Sequence, residues 1–471
     1  MSGYEQYDAV GLAAAVRDGA LDAAEVVETA IARIEQLDPD LNAVVHERFD
    51  AARAEVAAGL PDGPLTGVPV LVKPLGADVA GLPTTRGSRL WADDVKDTDS
   101  ELVRRYKAAG MVVLGITNTP ELGLSADTTP TLHGATHNPW RRGYSPGGSS
   151  GGAAAAVSAG MVPVAHASDG GGSIRIPAAA CGLVGFKPSR GRVSPAPYAS
   201  ALVNPTSVHH AVTRTVRDSA ALLDVAAGVA LGDAYGFERQ EGQFARAAAT
   251  RPPRLRIGLL TRLENGPETD PACVEAAQRL ADVCARQGHD VREMRPTWDS
   301  QAAAGASGTV MGMALVQEVD SRLAELGREL ADDDVEPFTR VLLDHYRSTG
   351  IGDAGVALSA FVATGRAVAR LFDDVDVLLT PTLATRTPEH GFLDTRRPET
   401  LWQRGTLLSG WTSPFNVTGM PGVSLPAGTD EGGLPLGAQL VAPLGQDALL
   451  MSLAAEVEQV APWPQRAPHP S

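Results

Sequence analysis

The sequence predicts an α/β fold built on an open sheet, and three observations carry that reading. Strand-like and helix-like patterns alternate, most clearly in the run 254–260 (strand), 271–287 (helix) and 290–295 (strand). Short apolar runs bounded by turn residues, such as 68–72 and 111–115, read as buried strands. The chain has 471 residues, 44% of them hydrophobic and 20% charged, enough to bury a large core. Large α/β units of this size often run as one domain, so 1–471 is expected to be a single domain.

Each element follows from local pattern. Residues 8–37 read as two helices, the second opened by the capping-box pattern Asp22-Ala-Ala-Glu25 and stopped at Asp38-Pro39. Residues 41–46 look like a short strand, 51–60 a helix, 68–72 a buried strand ending at Lys73, and 100–109 a helix before the strand 111–115. Residues 124–146 read as a loop, 153–160 as a helix and 162–165 as a strand. Residues 196–250 read as helices and loops, with 218–231 helical. The span 297–372 is mainly helical and carries no motif. Residues 376–381 and 434–441 read as late core strands and 448–460 as a closing helix.

Composition narrows the class. A net charge of −16 argues against nucleic acid, which is bound through basic patches. Three cysteines (Cys181, Cys273, Cys284) without CxxC spacing suggest a reducing compartment and no redox or metal role. No signal-peptide pattern is visible, and no uncharged apolar run has transmembrane character, so a cytoplasmic protein without a membrane partner is expected. His133 and His137 are four apart, but Gly134 and Pro139 argue for a solvated loop over a helical metal site.

The chemistry concentrates in residues 143–195. Two Gly/Ser clusters, Gly147-Gly148-Ser149-Ser150-Gly151-Gly152 and Gly170-Gly171-Gly172-Ser173, flank an Ala-rich segment. Clustered glycine is entropically costly, so it marks sharp turns or close approach. A serine beside N–H-rich backbone supplies both needs of acyl transfer, a nucleophile and donors for a developing oxyanion. The chain has only four lysines, Lys73, Lys96, Lys107 and Lys187, among 40 basic residues. A lysine ending the apolar run 67–73 is therefore notable, because a buried lysine can lose its proton and arginine cannot. The plain alternative is a strand-end lysine that reaches solvent.

GGSSGG (147–152), SDGGGSIRIPA (168–178) and GLVGFKPSRGRV (182–193) together closely resemble the amidase signature family. GVPVLVK (67–73), GITNTPELG (115–123), HNPW (137–140) and FNVTGMPGVSLP (415–426) extend the resemblance over most of the chain. It implies a large mixed central sheet covered by helices on both faces, and a Ser–Ser–Lys triad with Ser173 as nucleophile, Ser149 as bridge and Lys73 as base. The 24-residue separation of Ser149 and Ser173 is that of the family; Ser150 would give 23. The resemblance also implies a cis peptide bond at Gly148–Ser149, an oxyanion hole from the N–H groups of Gly170, Gly171, Gly172 and Ser173, and supporting roles for Ser150, Asp169 and Arg175. Thr119 and Gly148 are expected to touch substrate, and no cofactor or metal is called for.

Two departures stand out. Pro74 replaces the Asp more usual after the lysine, and Gly170 replaces a bulkier residue. In the family the region corresponding to 297–372 varies and walls the acyl pocket; Met311, Met313, Phe338 and Tyr346 either line it or belong to plain core. The resemblance is strongest to the branch holding 6-aminohexanoate cyclic-dimer hydrolases and urethane-cleaving amidases. It points to a small-molecule amide, lactam or carbamate substrate, with esterase activity, in a monomer or homodimer; the net charge of −16, a poor match for an anionic substrate, adds the expectation that the substrate is neutral. Two other readings stand beside it. Gly148-x-Ser150-x-Gly152 fits a hydrolase nucleophile elbow, though Pro146 and two glycines precede it where a strand should be. The chain also compares with the glutaminase subunit of a tRNA-dependent amidotransferase, or with a non-catalytic member, but TNTPELGL and SDGGGSIRIP differ from that subunit's usual motifs.

Overall fold

Eleven strands form one mixed sheet, seen in a computed structural model that describes residues 3–198 and 204–468. In chain order they are β1 (Val44–Glu47), β2 (Pro69–Val72), β3 (Val112–Thr117), β4 (Val164–Asp169), β5 (Val184–Lys187) and β6 (Val208–Thr213). Then follow β7 (Arg256–Leu259), β8 (Asp290–Glu293), β9 (Val377–Pro381), β10 (Gly422–Thr429) and β11 (Pro435–Val441). Their spatial order is β1-β3-β2-β4-β6-β5-β10-β11-β9-β7-β8. The β2, β3 and β4 strands run parallel, as do β7, β8 and β9, while β4–β6–β5–β10–β11–β9 is antiparallel throughout.

Strands β2, β3, β4, β6, β9 and β11 are buried at every position, so both faces of the sheet are covered. The main core joins these strands to helices Ala23–Leu41, Gly151–Ser158, Val216–Ala226 and Asp447–Val460. A second cluster, built on Leu315, Val319, Phe338 and Leu342, joins helices Ser300–Leu326 and Pro337–Tyr346 to Trp91 and Ile176.

Several expectations are corrected. The second helix does not stop at Asp38-Pro39; Pro39 lies in its last turn and the helix runs to Leu41, where Asn42 at φ 53° ends it in the left-handed region. The span 196–250 is not only helix and loop: β6 crosses it, and its helix ends at Ala226. Residues 199–203 of that span lie outside the described residues. The Ala-rich helix starts at Gly151, inside the glycine cluster. A Cβ on Gly152 would fall 2.5 Å from Asn118 N, so close helix–strand approach explains that glycine. The expectation of no membrane-competent segment meets one exception. Helix Ile351–Asp373 is long and apolar enough to cross a bilayer by length and composition. Its inner face, through Ala357 and Phe361, packs on Ala306 and Val310, while Ile351, Val356, Leu358 and Val362 are exposed.

Candidate active site

The parallel strands β2 and β4 lie side by side, and the site forms beyond their C-terminal ends. The β2 strand delivers Lys73 and β4 delivers Ser168 and Asp169. Lys73 is fully buried. Its Nζ lies 2.7 Å from Ser149 Oγ, 3.0 Å from Ser150 Oγ and 3.0 Å from Ser168 Oγ. No carboxylate among the described residues touches it, so burial dominates, and Lys73 falls from 10.5 to about 7 although the charge of Asp169 pulls upward. A neutral amine has two N–H groups and one lone pair, which suits three hydroxyl neighbours. Ser150 Oγ donates its own proton to Ser168 O at 3.3 Å, so it accepts from Lys73. Neither Ser149 Oγ nor Ser168 Oγ has another acceptor among the described residues, so either hydroxyl can face the lone pair of the neutral amine.

The Gly148–Ser149 peptide bond is cis, as expected. Ser149 is held by Thr119 Oγ1, which donates to Ser149 O at 2.8 Å, and the loop 125–127 sits directly behind Gly148. Thr119 is buried with its hydroxyl thus committed to the serine turn, and Gly148 packs against the backbone of that loop.

The turn after β4 is fixed by one buried ion pair. Arg175 Nε and Nη2 donate to the two Asp169 carboxylate oxygens at 2.9 Å each, and neither side chain is exposed. Burial alone would raise Asp169, but the Arg175 charge and its hydrogen bonds win and hold the carboxyl well below its ordinary value. Asp169 Oδ1 accepts the Gly172 N–H at 2.7 Å, and Asn416 Nδ2 adds a further bond at 2.8 Å. Thr412 Oγ1 donates to Gly171 O at 2.7 Å. Of the four N–H groups expected in the oxyanion hole, that of Gly172 is therefore spent on Asp169. Those of Gly170, Gly171 and Ser173 have no partner among the described residues. Ser173 is half-buried and its hydroxyl makes no hydrogen bond among the described residues, unlike the buried Ser149 and Ser150.

Sequence reasoning missed three of these contributors: Ser168, Thr412 and Asn416. Ser168 and Asn416 lay within quoted motifs without a role, and Thr412 had no signal at all. Pro74 sits in a tight turn in which Leu75 N donates to Lys73 O at 2.9 Å. His133 and His137 diverge within a loop: His133 Nε2 meets Thr85 Oγ1 at 3.3 Å and His137 Nδ1 meets His390 Nε2 at 3.2 Å.

A cavity of about 250 Å³ opens beside the site. Its apolar wall includes Leu75, Leu122, Met311 and Leu315, and its outer wall carries Arg86, Lys96 and Arg322 against Asp94, Glu318 and Glu325. A Cβ built on Gly170 would meet only Met311 Cε, itself on the cavity wall, at 3.8 Å and Thr206 Oγ1 at 4.0 Å. Of the four candidate pocket residues Met311 lines the cavity; Phe338 is core, Met313 is exposed, and Tyr346 packs against Gly312.

The amidase family profile matches residues 25–451. The chain belongs to the amidase signature family. Within it, the chain is 37% identical to the 6-aminohexanoate-cyclic-dimer hydrolase of Paenarthrobacter ureafaciens, over 98% of this chain and 96% of that one. It is 36% identical to the putative amidase AmiC of Mycobacterium tuberculosis, over 97% and 95% of the two chains. The solved structure of a 6-aminohexanoate cyclic dimer hydrolase complexed with substrate superposes with a TM-score of 0.91 at 35% identity, covering 98% of each chain. A bacterial aryl acylamidase of the family gives 0.89 at 30% identity, covering 97% and 96%. This amidase is accordingly an amide-hydrolysing enzyme.

Proposed function

We propose that this amidase cleaves the C–N bond of neutral small-molecule amides, lactams or carbamates, and hydrolyses esters, through Ser173, Ser149 and Lys73. The observation that carries this reading is the buried Lys73 amine among three hydroxyls, with no carboxylate to keep it charged. Neutral Lys73 takes the Ser149 proton while Ser149 takes that of Ser173. Ser173 Oγ attacks the carbonyl carbon, and the oxyanion is met by the N–H groups of Gly170, Gly171 and Ser173. The relay then runs backwards and protonates the leaving amine or alcohol. Water attacks the resulting acyl-enzyme, passing its proton along the same path, and frees Ser173. Each oxyanion donor is worth roughly 3–4 kcal/mol of barrier.

A neutral substrate is supported by the cavity wall, whose three cationic side chains face three carboxylates. The 6-aminohexanoate cyclic-dimer relatives favour an amide or lactam; carbamate and ester cleavage follow from the shared acyl carbonyl. The test is hydrolysis of an arylamide, a cyclic amide, an aryl carbamate and an ester by wild type and Ser173→Ala, each substrate paired with a carboxylated analogue. Loss of all four activities in Ser173→Ala and faster turnover of the neutral members are expected. Preference for the carboxylated members would overturn the neutral-substrate reading, and glutaminase activity requiring an added protein partner would overturn the free-standing amidase.

A further inference from the structure

Strand β6 places an unused histidine at the cavity. In the antiparallel β4–β6 pair, His209 stands opposite Ser168, one of the three hydroxyls around Lys73. Directly opposed residues project from the same face, so His209 lies on the Lys73 side of the sheet. His166, two residues before Ser168, shares that face and stacks on His209 with ring centroids 5.7 Å apart. The two histidines differ in use. His166 Nδ1 accepts the Lys73 backbone N–H at 3.3 Å and holds the end of β2. His209 makes no side-chain hydrogen bond among the described residues, although it is only 3% exposed and lines the cavity.

Its Nδ1 is wholly buried without a partner. Its Cε1–Nε2 edge lies against Gly76 on the cavity wall, where a Cβ would fall 2.2 Å from Cε1 and 2.9 Å from Nε2. Gly76 sits at φ +74°, so both backbone and space reserve that position for glycine. The chain thus gives up a side chain to seat an imidazole whose polar atoms have no partner among the described residues. Leaving a buried polar group unpaired is costly, and a ligand that pairs it recovers that cost. Burial first, and the nearby Lys73 charge second, lower His209 to about 4, so the ring is neutral at working pH, and Nε2, the nitrogen not sealed in the interior, offers the cavity an N–H or a lone pair according to the tautomer.

We infer that His209 is a specificity-determining residue that hydrogen-bonds a polar, uncharged group on the acyl chain of the substrate. The preferred substrates are then amides whose acyl chain carries a second carbonyl, carboxamide or hydroxyl, over plain alkanoyl amides. The inference rests on hydrolysis at Ser173 as proposed above and names the substrate class of that site.

The test uses the whole enzyme and p-nitroanilides of straight-chain acids from butyryl to hexanoyl, each paired with its terminal-carboxamide counterpart. Wild type is expected to favour the best carboxamide-bearing member by about tenfold in kcat/KM, the worth of one satisfied buried hydrogen bond. The preference should reside mainly in KM. His209→Leu should bring the ratio close to one, and His209→Gln, which keeps a donor and an acceptor, should hold it within about threefold of wild type. A flat ratio in wild type, or an equal loss on both series in His209→Leu, would overturn the inference. Labelling of Ser173 by a fluorophosphonate separates the two failures. A flat ratio with Ser173 labelled and turning over refutes the His209 role alone, whereas no label and no turnover refutes the amidase mechanism and this inference with it.

Discussion

Acidification should switch off this amidase through Lys73, and the size of the effect follows from its surroundings. The Lys73 amine is fully buried, its nearest polar atoms are three serine hydroxyls, and it sits at about 7. As a base it must be deprotonated, so activity is present above that value and lost as pH falls through it. With a value near 7, about one tenth of the enzyme is active at pH 6 and about one hundredth at pH 5. The assay is kcat/KM between pH 5 and 9 on an uncharged p-nitroanilide, which removes substrate ionisation from the profile. A limb rising about tenfold per pH unit, then a plateau above about pH 8, is expected. His209 and His166 lie too low to contribute, His209 at about 4 and His166 well below its ordinary value. Four other groups lie near 7: Glu121, Asp218 and Glu458, raised by burial, and Lys187, lowered by burial; Asp218 and Glu458 sit at the Val216–Ala226 helix, where they accept from Ala9 N and Val216 N, so Glu121 and Lys187 are the controls nearer the site. The limb should therefore survive in Glu121→Gln and in Lys187→Met. A flat profile, a midpoint near 10, or a limb that vanishes in either control would refute the assignment of Lys73 as base.

Other perturbations follow from contacts around the same turn. Asp169→Ala strands the fully buried Arg175 charge and should cost about 3–5 kcal/mol in urea unfolding, with loss of activity. Gly172→Ala should disable the turn, because φ is +136° there and the new Cβ would lie 2.2 Å from Thr412 Oγ1; Gly170→Ala, with ordinary contacts only, should keep kcat within about tenfold of wild type. Among the described residues Lys187 Nζ donates only to Pro188 O, at 2.9 Å, and burial lowers it from 10.5 to about 7. Below pH 7 folding then carries the full penalty of a buried ammonium, and between about 7 and 10.5 that penalty fades, because only the unfolded chain keeps the proton. Lys187→Met should be more stable than wild type at pH 7 in urea unfolding, by a margin that narrows as pH rises toward 10.

The legible parts of the chain are those whose local pattern and tertiary role agree. The run before Lys73 reads as a buried strand and is one, and its lysine stands out because the chain uses arginine almost everywhere else. The two Gly/Ser clusters read as close-approach turns, and the contacts that a Cβ would make at Gly148, Gly152 and Gly172 bear that out. Strand β6 was hidden because its sequence, VHHAVT, puts two histidines in a fully buried strand, where an apolar run is the usual signal. Strand β10 was hidden by glycine and proline at 419, 421, 422 and 426, which read as loop. The same limit explains Asn416 and Thr412: their partners, Asp169 and Gly171, are more than two hundred residues away in sequence, so only the folded sheet brings them to the turn. The commitment of the Gly172 N–H to Asp169 is likewise a matter of a single carboxylate rotamer, which no motif encodes.

The central claim is that Ser173 is the nucleophile and that Lys73 activates it through Ser149. Its most direct test is to treat wild type and Lys73→Ala with a fluorophosphonate and locate the adduct by mass spectrometry. The account predicts an adduct on Ser173 in wild type that fades by orders of magnitude in the variant. An adduct on Ser150 that is indifferent to Lys73, or none on any serine of an active preparation, would contradict it.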